Sequence, residues 1–97
     1  MLDVRQTPEF ERWVNGLKDT QAQGRVLIRV RRLALGNPGD VKPVGGGISE
    51  LRIDYGPGYR VYFTQRGTTL ILLLCGGDKK SQARDIQKAA QLAESLK

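Results

Sequence analysis

The segment Glu50-Leu51-Arg52-Ile53-Asp54-Tyr55-Gly56-Pro57-Gly58-Tyr59-Arg60-Val61-Tyr62-Phe63 constrains the fold more than any other part of the chain. Two runs of alternating character flank a Gly-Pro-Gly turn, which reads as a β-hairpin. Successive side chains on a strand point to opposite faces. Leu51 and Ile53 therefore take one face of the first arm, and Glu50, Arg52 and Asp54 the other. On the second arm Val61 and Phe63 are the core positions, which puts Arg60, Tyr62 and Thr64 opposite. Pairing of the arms sets Arg52 and Arg60 on one open sheet surface beside Tyr62. Planar arginine forks in that position suit a phosphate or a nucleic-acid backbone.

The rest of the chain builds outward from this hairpin. Met1 to Gln6 reads as a short strand. Thr7 caps a helix that opens with Pro8 and carries acids near its positive end. Phe10, Trp13, Val14 and Leu17 follow at i, i+3, i+4 and i+7, so Trp13 belongs to a core stripe rather than to a base-stacking platform. Lys18-Asp19-Thr20 ends this helix and caps a second, from about Gln21 to Leu35, which stops at Gly36-Asn37-Pro38-Gly39. Its apolar positions are Ala22, Val26, Val30 and Leu33, with Leu27 and Ala34 as additions. Arg25, Arg29 and Arg32 share another face, open to RNA or to an acidic partner segment; a solvated helix face is the plainer alternative.

Asp40 to Val44 is a weak strand containing Pro43, expected at a sheet edge, and Gly45-Gly46-Gly47 a hinge or bulge without phosphate-loop spacing. Three strands follow as a meander over Ile48–Tyr55, Tyr59–Gln65 and Thr68–Gly76. Leu70 to Cys75 is apolar on both faces, the mark of a central or doubly covered strand. Asp78 caps a last helix from about Lys79 to Leu96, with Ala83, Ile86, Ala90, Ala93 and Leu96 as its apolar stripe. The expected class is α+β in the order β-α-α-β-β-β-α. It is one domain over residues 1–97, an antiparallel-dominated sheet with a helical hairpin on one face.

The chain has 16 Lys+Arg against 10 Asp+Glu, a formal net charge of +6, and no histidine. The positive excess favours an anionic partner. The missing histidine excludes Ser-His-Asp, Cys-His and His-metal sites, and the scattered acids suggest no carboxylate cage, so neither metal nor cofactor is expected. Cys75, the single cysteine, lies in the most apolar run and reads as a buried thiol. A reducing cytoplasm is the expected location. The charged N-terminus does not read as a signal peptide, and no apolar run is long enough for a bilayer, so no membrane association is expected.

Arginine, lysine and tyrosine suit one reaction class: RNA cleavage by its own 2′-hydroxyl. That reaction needs a base at the 2′-oxygen, positive charge on the phosphorane and an acid at the leaving 5′-oxygen. Lys79 and Lys80, at the start of the last helix, are the candidate basic cluster. Adjacent lysines at a helix N-terminus are electrostatically unfavourable, a cost that a phosphate site would explain; two solvated lysines are the alternative. Arg52 has its own alternative in a cross-strand pair with Glu50 or Asp54.

Three blocks of sequence carry a family resemblance: Glu50-Leu51-Arg52, then Gly56-Pro57-Gly58-Tyr59-Arg60-Val61-Tyr62-Phe63, then Leu73-Leu74-Cys75-Gly76-Gly77-Asp78-Lys79-Lys80-Ser81-Gln82 with Asp85-Ile86. Together they resemble the RelE/ParE toxin superfamily, and within it the HigB-like, phage Gp49-like addiction-module killer branch. The resemblance implies a microbial RNase-like α+β fold and the toxin of a type II toxin–antitoxin pair. It implies cleavage of mRNA on the ribosome, and a small helix-turn-helix antitoxin as partner. Arg60 would stabilise the scissile phosphate, with Lys79 or Lys80 and Arg52 as further catalytic cations. Arg52, Arg60, Tyr62, Arg25, Arg29 and Arg32 would contact RNA. The last helix lacks the Tyr or His that many members use as acid or base, which leaves the general base unassigned. On the same fold a ParE-like DNA gyrase inhibitor, or a non-catalytic binder of RNA or antitoxin, is the alternative.

Overall fold

The computed structural model describes residues 1–96. The chain runs β1 (Asp3–Gln6), α1 (Pro8–Asn15), α2 (Thr20–Ala34), β2 (Val41–Gly45), β3 (Ile48–Ile53), β4 (Tyr59–Arg66), β5 (Leu70–Gly77), a 3-10 turn (Lys79–Ser81) and α3 (Gln82–Ser95). One five-stranded sheet has the order β1-β5-β4-β3-β2, with β1 parallel to β5 and every other pair antiparallel. The class is α+β with a mixed sheet. The weak strand with Pro43 is present as β2, paired with β3 at the sheet edge as expected, although the order β-α-α-β-β-β-α leaves it out. Edge position is what lets a proline sit there.

Both N-terminal caps form as their residues dictate. Thr7 Oγ1 accepts from the Phe10 amide, and Asp19 Oδ1 from those of Gln21 and Ala22. α1 and α2 cover one face of the sheet. Phe10, Val14, Val26 and Leu33 pack there against Leu51, Ile53, Val61, Phe63, Ile71 and Leu73. Trp13 joins this core edge-on to Tyr59 and lies over Gly76, where any Cβ would run into the indole.

The other face is not open, contrary to the sequence expectation. α3 lies across it, and Ile48, Tyr62, Leu74, Cys75 and Ala89 form a second core. The alternation was right; what lies on that face was not. A bulge in β5 makes the arrangement possible. Tyr62 pairs with Cys75 and Phe63 with Leu73, which leaves Leu74 as the extra residue. The bulge turns Cys75 onto the α3 side, where burial pushes its thiol up to about 12 from 9.0.

The buried stripe of α3 is also shifted from the expected one. Asp85 and Ala89 are buried, with Ile86, Leu92 and Ala93 partly so, while Ala83, Ala90 and Leu96 face outward. The cause is the entry to the helix. Asp78 caps the 3-10 turn rather than α3, in a reciprocal capping box with Ser81. Ser81 then donates to Asp85, so this carboxylate turns inward against Gly77. At the far end Arg66 donates to the carbonyls of Ala93 and Leu96, satisfying the end of the helix.

Candidate anion-binding cleft

Arg52 and Arg60 are direct cross-strand partners in the β3–β4 register. The turn joining the strands is shaped by Gly56 and Gly58, both at positive φ. Gly58 also lies close to the 3-10 turn: a Cβ there would stand in contact with Lys79 Cβ and Arg60 Nη1, each at 3.4 Å. Lys79 is thereby brought beside the hairpin end. Arg52, Arg60 and Lys79 line one cleft of about 400 Å³, whose carboxylates are Asp40 and Asp54. Asp40 stands 3.7 Å from Arg52 Nε. Asp54 makes no hydrogen bond or ion pair with a described residue.

Arg60 is held from behind. Its Nε is 3.6 Å from Glu50 Oε1, and both side chains are almost wholly buried. Nη1 donates to the carbonyls of Gly58 and Tyr59 at 3.1 and 3.3 Å. Glu50 is fixed in turn: its Oε2 accepts from the Tyr62 hydroxyl at 3.0 Å and from Gln82 Nε2 at 2.7 Å. Buried Nε has no hydrogen bond of its own, so Coulomb attraction to Glu50 carries this contact. Burial and the neighbouring Glu50 carboxylate raise the Tyr62 pKa well above 10.0. The phenol is neutral and donates to Glu50. The whole arrangement is a carboxylate clamp beneath an arginine that lines an anion-sized cleft.

A family model for phage-derived Gp49-like proteins (DUF891) matches residues 12–96. This span contains the hairpin, the cleft and its clamp. The chain belongs to the Gp49-like family. An uncharacterised protein of Haemophilus influenzae (strain Rd) is 45% identical over 95 residues, covering 98% of this chain and 96% of that protein.

The structure of this Gp49-like chain sorts the residues singled out in the sequence. Arg52, Arg60 and Lys79 come together. Lys80 does not; it lines a neighbouring depression with Asp78, Ser81 and Arg84. Tyr62 lies on the expected face but is fully buried, so it cannot touch RNA in this conformation. Arg29 is committed to main-chain carbonyls: Nη1 to Arg52 O at 2.7 Å, Nη2 to Pro38 O at 2.9 Å and Asp40 O at 3.2 Å. Arg25 lies over the Tyr55 ring at 4.4 Å. Arg32 is exposed on α2, away from the cleft. Sequence reasoning passed over Glu50 as the partner of Arg60, and over Gln82. The available signal was the alternation itself, since Glu50 shares a face with Arg52 and stands opposite Tyr62. Among the described residues, no three His, Cys, Asp or Glu gather into a metal-ligating group. Likewise, no described helix is long and apolar enough to cross a membrane.

Proposed function

We propose that this Gp49-like protein is a cytoplasmic toxin of a type II toxin–antitoxin pair, on a RelE-like fold, that cleaves ribosome-bound mRNA. The observation that carries the reading is the convergence of Arg52, Arg60 and Lys79 on one cleft. A scissile phosphate seated there would gain negative charge in the phosphorane, where a fixed guanidinium stabilises it most. The Glu50 clamp holds Arg60 in place before substrate arrives, which lowers the reorganisation needed in the transition state. Asp54, a cleft carboxylate without an ion pair, would accept the 2′-hydroxyl proton, and Lys79 would give a proton to the leaving 5′-oxygen. The 2′-oxygen attacks phosphorus, the 5′-oxygen leaves with a proton, and a 2′,3′-cyclic phosphate remains. The natural partner would be a small helix-turn-helix antitoxin.

A second reading, a non-catalytic binder of RNA or antitoxin, draws on the burial of Glu50 and Tyr62, which withdraws both from proton transfer at the cleft. Primer extension on translated mRNA, after induction of the protein alone, separates the two. Cuts within codons are expected from the wild type and should vanish when translation is blocked. Arg60→Lys is the informative variant, because it keeps a cation opposite Glu50 but loses the planar fork. Cuts should drop by about a hundredfold or more with it, the scale of losing one transition-state donor. Arrest with intact mRNA would sink the nuclease reading and redirect the search to a protein target such as DNA gyrase.

A further inference from the structure

Beside the Arg60 cleft lies a second cavity, of about 370 Å³. Pro57 lines both, and Tyr59, in the wall of the second, is the chain neighbour of Arg60. Tyr59 and Trp13 give this cavity an aromatic wall, their rings edge-on with centroids 6.3 Å apart. Ser81, Arg84 and Asp85 line it from the 3-10 turn and the start of α3. Two glycines make room for this arrangement: a Cβ on Gly76 would run into Trp13, and one on Gly77 into Asp85. The Asp85 side chain is only 9% exposed. Its Oδ2 accepts from the Ser81 hydroxyl. Its Oδ1 takes no hydrogen bond from a described residue, and the ion pair with Arg84 Nε is long, 3.9 Å, on an arginine that is 82% exposed. A carboxylate so nearly buried costs free energy unless donors reach it. Oδ1 is therefore an acceptor in want of a donor, in the wall of a cavity.

We propose that this cavity is a guanine subsite, which holds the base of an RNA nucleotide next to the phosphate at Arg60. The proposal rests on the RNA reading of the Arg60 cleft and extends it to base choice. Guanine presents two adjacent donors, N1–H and the N2 amino group, which match the two oxygens of a carboxylate. Adenine and cytosine each set a ring acceptor beside their amino group, and uracil sets carbonyls on both sides of N3–H, so each brings a lone pair against Asp85. The Trp13–Tyr59 wall supplies the aromatic surface on which single-stranded bases pack. The surrounding charge favours the same ligand. Arg52, Arg60 and Lys79 line the cleft on one side, and Lys80 and Arg84 the depression on the other. A ligand with an anionic chain and a donor-bearing base satisfies the cations and the carboxylate together. A basic peptide could also reach Asp85, but it would meet like charge on both sides.

Trp13 is the chain's single tryptophan, so its fluorescence reports on the site. The probes are 2′-O-methyl RNA trimers, which cannot be cut by their own 2′-oxygen: UGU, UIU with inosine, UAU and UCU. UGU should quench Trp13 saturably and bind about tenfold or more tighter than UAU and UCU, the scale of one bidentate base contact. UIU keeps N1–H but lacks the amino group and should fall between. This series needs no variant, so it stands even if replacing Asp85 harms folding. Asp85→Asn should bring UGU down to the level of UAU, while Arg60→Lys should weaken all four trimers and keep their order. Equal binding of the four trimers, still weakened by Arg60→Lys, would overturn the guanine subsite and leave the RNA reading standing. Failure of every trimer to bind would take down both. A folded Asp85→Asn protein that keeps the UGU preference would also overturn the assignment. So would guanosine 5′-monophosphate binding as tightly as UGU, since the ligand would then be a free nucleotide.

Discussion

Arg29 and Arg60 approach the β3–β4 hairpin from opposite faces of the sheet, and they differ in what neutralises them. Arg29 comes from the α2 side and donates to three main-chain carbonyls, those of Pro38, Asp40 and Arg52. Its fork is filled, and it ties α2 to the Pro38–Asp40 segment and the end of β3. Arg60 comes from the α3 side, leans on the buried Glu50 carboxylate and gives Nη1 to the carbonyls of Gly58 and Tyr59, while its guanidinium also lines the cleft. An arginine saturated by carbonyls is a brace. An arginine charge-paired to a buried carboxylate at the wall of a cleft is set up for an anion. The same residue type, a few ångströms of sheet apart, takes its role from its acceptors.

The largest effect that would break this contrast is expected at Glu50. Glu50→Ala leaves the Arg60 guanidinium buried without its counter-charge and should cost about 3–5 kcal/mol of folding stability, read by urea unfolding. Glu50→Gln also removes the counter-charge but keeps an acceptor for Tyr62 and Gln82, so it should cost less than Glu50→Ala and still be destabilising. A Glu50→Ala protein as stable as the wild type would show that the clamp is not what holds Arg60. Next comes Arg29→Ala, expected to lose about 1.5–3 kcal/mol through its charged hydrogen bonds. The salt dependence of RNA binding should not change with it; a reduced slope would mean that Arg29 contacts phosphate after all.

Tyr62→Phe follows, at about 0.5–1.5 kcal/mol for a buried hydrogen bond. It also sharpens the picture through pH. Tyr62 keeps its proton in the folded chain at pH values where the unfolded chain has released it. Its contribution to stability is therefore complete below the unfolded value, 10.0, and is lost as pH rises through the raised folded value. The Cys75 thiol acts with the same sign between 9.0 and about 12. Melting temperature should fall above about pH 9, and less steeply in the Tyr62→Phe, Cys75→Ala double variant. A parallel fall in both proteins would remove these two groups as its source. The smallest effect is expected at Arg32, exposed on α2: Arg32→Ala should stay within about 0.5 kcal/mol of the wild type.

Much of this frame was legible in the chain. Alternation placed Arg52 and Arg60 on one face, and the structure makes them register partners. Thr7, Pro8 and Asp19 marked helix starts because capping is a local hydrogen-bond problem. The doubly apolar run of β5 marked a central or doubly covered strand, and β5 lies inside the sheet with a core on each side. Double cover and an open face at Arg60 and Tyr62 could not both hold for neighbouring strands, and the structure decided for cover. The stripe of α3 was misread for a related reason. A buried Asp85 looks like a solvent position in any periodicity count, until Ser81 is seen donating to it.

The sequence alone determined the order of most elements, the hairpin and the two faces of its strands. These follow from periods of two and of 3.6 residues and from caps that reach only three or four positions. Only the tertiary structure decided which face was covered, which lysine joined the arginines, and which arginine was a brace. Each of those turns on partners far apart in the chain: Gln82 on Glu50, Lys79 against Gly58, Arg29 on the carbonyl of Arg52. Such meetings depend on how α3 crosses the sheet and where the β5 bulge falls, and no local pattern encodes either.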